Sequence, residues 1–156
     1  MSGASEDSAS TEDPATTEDL LARVIERSQS NNYWRTLGVE VQAAEAGYVR
    51  LRIPVRPELC NADGAPMHGG VICALVDMAV GGALSTMASG GAGGTGQATT
   101  DLNVSFLGGI REGGLVAEGR ILKAGRRLAF GEAELRDDNG RWVAKGRVTY
   151  MILAPT

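Results

Sequence analysis

A chain of 156 residues in which 15 Lys and Arg face 19 Asp and Glu carries a net charge of −4. That balance argues against phosphate-backbone binding as the main activity, since nucleic-acid binders show a basic surplus or a clustered basic face. Two cysteines, Cys60 and Cys73, are too few for a disulfide framework and lack the C-x-x-C spacing of a metal site, so the cytoplasm is the expected compartment.

The length is that of one domain, able to bury about two-thirds or more of its unfolded surface. Met1 to about Thr17 is Ser, Thr, Glu, Asp and Ala with almost nothing to bury, the composition of a segment that does not offset its ordering entropy. We read residues 1–17 as a disordered acidic tail and 18–156 as a single domain. The start has neither the basic run nor the apolar run of a signal peptide, and no segment reaches the roughly 20 apolar residues of a membrane span. From Glu18, Leu20, Leu21, Val24 and Ile25 recur at helical spacing until "SQSNN" ends the element. Tyr33, Trp34 and Leu37 follow, placed to lay that helix against the body.

Val39–Ala46 and Tyr48–Val55 have strand character; Val49, Leu51, Ile53 and Val55 alternate with Arg50 and Arg52, the pattern of a hairpin with one wet face. After the loop "RPELCNADGAP", Pro66-Met67-His68-Gly69-Gly70 leads into an apolar helix from Val71 to about Met87, which stops in "ASGGAGGTG". Four more strands are expected, Ala98–Leu107, Leu115–Ala124, Arg127–Asp137 and Trp142–Leu153, with short links such as "DDNG" that join antiparallel neighbours. The fold class is therefore α+β, an antiparallel sheet of about six strands packed on one long central helix. Trp142 and Tyr150 share a face of the last strand by parity, as core or interface residues. The G-x-G-x-x-G match at Gly91–Gly96 is rejected as a dinucleotide fingerprint, because a helix precedes it and a strand follows.

Asp77 sits in the middle of the central helix among Val71, Ile72, Leu75, Val76, Met78, Ala79 and Val80. A helix apolar nearly all round is a buried one, and an unpaired buried carboxylate costs several kcal/mol. Asp77 falls on one stripe with Gly70, Cys73 or Ala74, Gly81 and Leu84, two turns below Gly70. Gly69 and Gly70 let a ligand approach the first helical N–H groups, whose partial positive charge makes an oxyanion site. A carbonyl there would be polarised and open to attack by water activated at the carboxylate. His68 is the single histidine; taken alone it suits a structural loop as well as a catalytic role. The competing account of Asp77 is a core aspartate satisfied by a nearby hydroxyl. No Ser-His-Asp arrangement, zinc-ligand cluster or paired-carboxylate spacing is present.

His68-Gly69-Gly70, then Leu75 and Asp77 nine residues after the histidine, resembles the signature of hotdog-fold acyl-CoA thioesterases of the phenylacetate-pathway and four-hydroxybenzoyl-CoA type. "TTDLNVSFL" resembles the family's strand after the helix, and "GRRLAFGEAELRDDNGRWVAKGRVTYMI" its last two strands; the likeness runs from about Tyr33 to Ile152. The resemblance implies a hotdog fold and hydrolysis of an aryl- or fatty-acyl-CoA to free acid and coenzyme A. It implies Asp77 as general base or nucleophile, and the Gly70 N–H as the donor polarising the thioester carbonyl, with His68 and Gly69 shaping that turn. Asn61, with Asp63 as fallback, would hold the carbonyl or the attacking water, and Thr99 would steady the water. Some relatives carry a hydroxyl where this chain has Gly81, so Thr99 or another group must supply it. The resemblance also implies a homodimer with active sites shared between subunits, pairing further into a dimer of dimers.

Coenzyme A arrives as part of the substrate, so no cofactor and no metal is expected. Lys123, Arg126 and Arg127 in "KAGRR" are candidates for its phosphates, against the plainer reading of a solvated hairpin end. Tyr48, Arg50 and Arg52 read as an exposed strand face. Gly81, Gly82 and Ala83 leave room along the helix for the acyl group. The alternative function is a hotdog module that binds acyl-CoA without turning it over. An enoyl-CoA hydratase would place a histidine after the aspartate, and here it precedes.

Overall fold

The computed structural model describes residues 15–87 and 96–153; most of the expected tail and most of the Gly91–Gly96 run lie outside them. The described elements are α1 (Thr17–Ser30), α2 (Asn32–Leu37), β1 (Glu40–Glu45), β2 (Tyr48–Pro54), α3 (Gly69–Ser85), β3 (Gln97–Phe106), β4 (Gly114–Ala124), β5 (Leu128–Asp137) and β6 (Trp142–Ile152). The sheet runs β1-β2-β4-β5-β6-β3, antiparallel throughout, with α3 packed on its inner face. The expected α+β sheet of six strands on one central helix is what the chain forms.

α1 starts at a capping box: the Thr16 hydroxyl accepts from the Asp19 N–H at 3.2 Å and the Asp19 carboxylate accepts from the Thr16 N–H at 2.9 Å. Asn31 closes α1 and opens α2 at once, its Oδ1 accepting from the N–H groups of Tyr33 and Trp34. The sequence reading ended the helix there and did not find α2. Trp34 and Leu37, three apart, share the buried face of α2, whereas Tyr33 is 54% exposed, so only two of the three expected residues anchor the pair.

The core is α3 against the sheet: Leu75, Val76, Val80 and Leu84 are enclosed with Val49, Leu51, Ile53, Leu115, Leu135 and Val148. Each such side chain contributes about 1.5–3 kcal/mol on leaving water. Gly119 of β4 is required by this contact, because a Cβ there would collide with the Ala79 carbonyl of α3. At the far end of α3, the Thr86 hydroxyl accepts from the Gly47 N–H at 2.8 Å, tying the helix to the β1–β2 turn.

Two irregularities set later geometry. Trp142 pairs with Arg136 and Ala144 with Leu135, leaving Val143 as the extra residue of a bulge. The bulge reverses side-chain parity, so Trp142 turns outward under the Arg136 guanidinium while Tyr150 stays inward at 4% exposure. The expected shared face of Trp142 and Tyr150 is corrected by this one inserted residue. In β3, Thr100 is bulged, which leaves Thr99 directly opposite Tyr150. β3 is an edge strand, paired on one side with β6, and carries the exposed side chains of Leu102 and Phe106.

Candidate active site

The helix mouth is built by local bonds. His68 N–H donates to the Leu59 carbonyl at 2.8 Å, Met67 N–H to the Ile110 carbonyl at 2.8 Å, and Asn61 N–H to the Pro66 carbonyl at 3.1 Å. With the backbone so pinned, His68 is the N-cap of α3, and its Nδ1 accepts from the Gly70 N–H at 2.8 Å. An accepting Nδ1 leaves the ring proton on Nε2. Of the two glycine N–H groups at the mouth, that of Gly70, the expected oxyanion donor, is engaged by His68, and that of Gly69 has no acceptor among the described residues. A Cβ on Gly69 would stand 3.4 Å from the Phe106 ring, so the mouth lies at the C-terminal end of β3.

Two turns along α3, Asp77 is half-buried rather than enclosed. One carboxylate oxygen is held twice: the Thr99 hydroxyl donates to Oδ1 at 2.8 Å, and Tyr150 Oη lies 2.8 Å from both Oδ1 and the Asp77 carbonyl oxygen. Oδ2 has no donor among the described residues. The expected hydroxyl at Thr99 is in reach, and a second, unexpected one comes from Tyr150. Burial and the neighbouring Asp77 charge push the Tyr150 phenol well above its ordinary value, so it stays a donor through the physiological range.

Gly81 exists for Tyr150: a Cβ there would lie 2.5 Å from Tyr150 Oη and 2.9 Å from Gln97 Nε2. Of the three residues expected to leave acyl room, Gly81 lines the cleft beside Asp77, whereas Gly82 and Ala83 do not. Gly82 faces Trp34 and Val49, and Ala83 is fully buried. The open volume, about 230 Å³, lies instead between Asp77 and the α1–α2 pair, walled by Arg27, Asn31, Trp34, Gln97 and Tyr150. Two larger hollows, of about 320 and 350 Å³, sit on charged strand residues remote from Asp77.

Neither Tyr150 nor Arg27 was singled out from sequence as a site residue. Arg27 shares a stripe with buried Leu20 and Val24, a cation on an apolar face that spacing alone reveals. Asn61, His68, Gly69 and Gly70 do not line the Asp77 cleft of their own chain. Asn61 is exposed, its Nδ2 donating to the Pro66 carbonyl at 3.0 Å, and Asp63 is exposed beside it. Lys123, Arg126 and Arg127 lie exposed around the β4–β5 turn, away from the cleft lining and without a carboxylate partner among the described residues. Among the described residues no cluster of three His, Cys, Asp or Glu could hold a metal, and no described helix is long and apolar enough to cross a membrane.

Comparison with known proteins places this geometry. The model of the thioesterase superfamily matches residues 66–144, from the helix mouth to β6. A Halobacterium salinarum protein with an inferred esterase assignment is 34% identical over 124 residues, 74% of this chain and 81% of its own. The medium/long-chain acyl-CoA thioesterase YigI of Salmonella typhimurium is 28% identical over 129 residues, 76% of this chain and 83% of that one. The E. coli PaaI protein from the phenylacetic acid degradation operon superposes with a TM-score of 0.79 over 91% of this chain and 99% of that one, at 16% identity, a likeness of fold. The expected hotdog fold is thereby confirmed.

Proposed function

The chain belongs to the thioesterase superfamily and is a thioester hydrolase; we propose that its substrate is an aryl- or fatty-acyl-CoA and that Asp77 is the catalytic carboxylate. The observation that carries this is the division of labour between the two carboxylate oxygens. Oδ1 is fixed by two hydroxyls, while Oδ2 has no donor among the described residues and Asp77 lines the cleft. Water at Oδ2 gives its proton to the carboxylate as its oxygen bonds to the acyl carbon; the C–S bond then breaks, and the thiolate leaves and takes up a proton. Attack by Oδ2 itself, through an anhydride that water opens, uses the same oxygen. The carbonyl oxygen is met by the Gly69 N–H at the positive end of α3, with His68 fixing the turn by occupying the neighbouring Gly70 N–H.

Mouth and cleft come together in a homodimer. Thr99, beside Asp77, and Phe106, beside Gly69, mark opposite ends of the uncovered strand β3. Antiparallel pairing of β3 with its copy about Leu102 and Asn103 sets the Thr99 end of each subunit next to the Phe106 end of the other. Each cleft then receives a mouth from the second chain, together with Asn61, whose side-chain oxygen has no donor among the described residues and suits an attacking water. Lys123, Arg126 and Arg127 present unpaired cations for the phosphates of coenzyme A. Two dimers would pair into a tetramer, and the cytoplasm, where acyl-CoA is made, is the proposed compartment.

The test is thiol release from a panel of aromatic and straight-chain acyl-CoAs by the native chain and by Asp77→Asn. Turnover lost in the variant with the thermal transition retained supports the assignment. Equal background rates in both proteins, with the esters still bound, overturn it in favour of a binding module.

A further inference from the structure

The Asp77 cleft has a second charged group, whose donors find no acceptor among the described residues. Arg27 is the only cation lining the cleft among the described residues, and its guanidinium makes no hydrogen bond or ion pair with any of them. Its Nε is fully enclosed without an acceptor. The side chain is held inward by its place on the Leu20–Val24 stripe of a helix capped at both ends, and its guanidinium lies 6.0 Å from the centre of the Trp34 ring. Burial pulls the Arg27 guanidinium below its ordinary value, while the Asp77 charge pulls it back up. A partly desolvated cation without a partner is unfavourable unless something supplies one. Gln97 turns one amide end to the Gly81 carbonyl and leaves its Oε1 enclosed without a donor, so the wall opposite the helix is polar as well.

At about 230 Å³ the cleft is smaller than the roughly 300–1,000 Å³ that holds a drug-sized ligand. A short acyl group would fill it, with its carbonyl at Asp77 and its far end towards α1. A guanidinium is a planar fork of donors that suits an oxygen acceptor, above all a carboxylate. We propose that Arg27 is a specificity-determining residue that receives an oxygen on the distal end of a short acyl chain, so that the enzyme acts on oxygen-terminated acyl-CoAs in preference to plain alkyl ones. The proposal rests on the hydrolase assignment of Asp77 and, for that site, puts short oxygen-ended acyl groups in place of the broader aryl or fatty class.

The experiment compares three five-carbon thioesters of coenzyme A, the pentanoyl, 5-hydroxypentanoyl and glutaryl esters, on the native chain, Arg27→Met and Arg27→Lys. Their affinities are also titrated on Asp77→Asn, which binds without turnover. The expected result is a kcat/KM for glutaryl-CoA about tenfold or more above pentanoyl-CoA, with the hydroxy ester between them. Arg27→Met brings the ratio towards one, and Arg27→Lys keeps part of it. A purely structural Arg27 would lower all three rates in parallel and leave the ratio intact, which overturns the proposal, as does equal or better turnover of the pentanoyl ester by the native chain. Absence of turnover with every ester removes the hydrolase reading instead; the affinity ratio then decides, a preference for the oxygen-ended esters upholding the role of Arg27 and equal affinities overturning it.

Discussion

The two proposed working places on α3, Gly69 and Asp77, are eight residues apart and are built in opposite ways. The mouth is assembled within one stretch of chain: His68 caps its own helix by a bond spanning two residues, and its other supports come mainly from residues 59–66. The cleft is assembled from distant chain. Asp77 is held by a hydroxyl 22 residues away and another 73 residues away, and Arg27 reaches the same space from α1. A local device survives small changes elsewhere. The cleft depends on register in β3 and β6 and on the docking of α1, so disturbances in those elements reach the chemistry.

The sharpest way to separate the two is at Asp77. Asp77→Asn keeps the shape and both hydroxyl neighbours but removes the base, so thiol release falls about 10²–10⁴-fold while the thermal midpoint moves little. Next comes Gly81→Ala, which forces a Cβ against Tyr150 Oη and overpacks the cleft at about 1–3 kcal/mol. The midpoint falls by roughly 2–4 °C per kcal/mol in a chain of this size. In a Tyr150→Phe background the hydroxyl is gone, so the two changes together destabilise by less than their sum.

Tyr150→Phe alone removes the second donor to Oδ1; kcat falls about tenfold with KM nearly constant, for a stability loss of about 1 kcal/mol. At the mouth, His68→Ala removes the cap for about 0.5–2 kcal/mol, and turnover falls less than in Tyr150→Phe because the Gly69 donor stays in place. If His68→Ala proves the more damaging to kcat, the contrast between mouth and cleft is wrong. The smallest effect is at the β4–β5 turn: Arg126→Gln with Arg127→Gln raises KM a few-fold at low salt, and the difference shrinks as salt screens exposed charges.

β2 was legible because it buries one face: Val49, Leu51 and Ile53 are enclosed while Arg50 and Arg52 point out, as their alternation requires. All six strand boundaries and those of α3 fall within two residues of the expected ones. α2 was not legible, because Asn31 both ends and starts a helix, and a six-residue element has too little periodicity to register. The strand order was not legible either. Seven residues join β3 to β4, up to about 23 Å of chain, which is enough to cross three strand spacings of about 4.8 Å; nothing in "LGGIREG" says that it does.

At the site, the identity of Asp77 and its stripe with Gly70 and Gly81 followed from helical periodicity, and Thr99 from the family pattern. The bond from the Gly70 N–H to His68 Nδ1 had no signal in the sequence. Which of two adjacent glycine N–H groups is free depends on where the His68 ring lies, a torsion the sequence does not encode locally. Tyr150 is the core residue expected of it, whereas Trp142 falls on the other face because parity between them crosses a bulge, and a bulge inserts one residue with no compositional mark. That Gly81, on the cleft wall, also makes room for a tyrosine on a strand 69 positions away has no mark in the sequence.

The sequence by itself determined the repertoire: one apolar helix with a carboxylate in it, a glycine pair at its start and six strands, because these rest on periods of two and 3.6 and on turn residues between them. Tertiary structure decided how the repertoire works. It set which N–H stays free, which hydroxyls hold Oδ1, and where an unanswered cation faces the cleft, because each is fixed by register and docking between segments far apart in the chain.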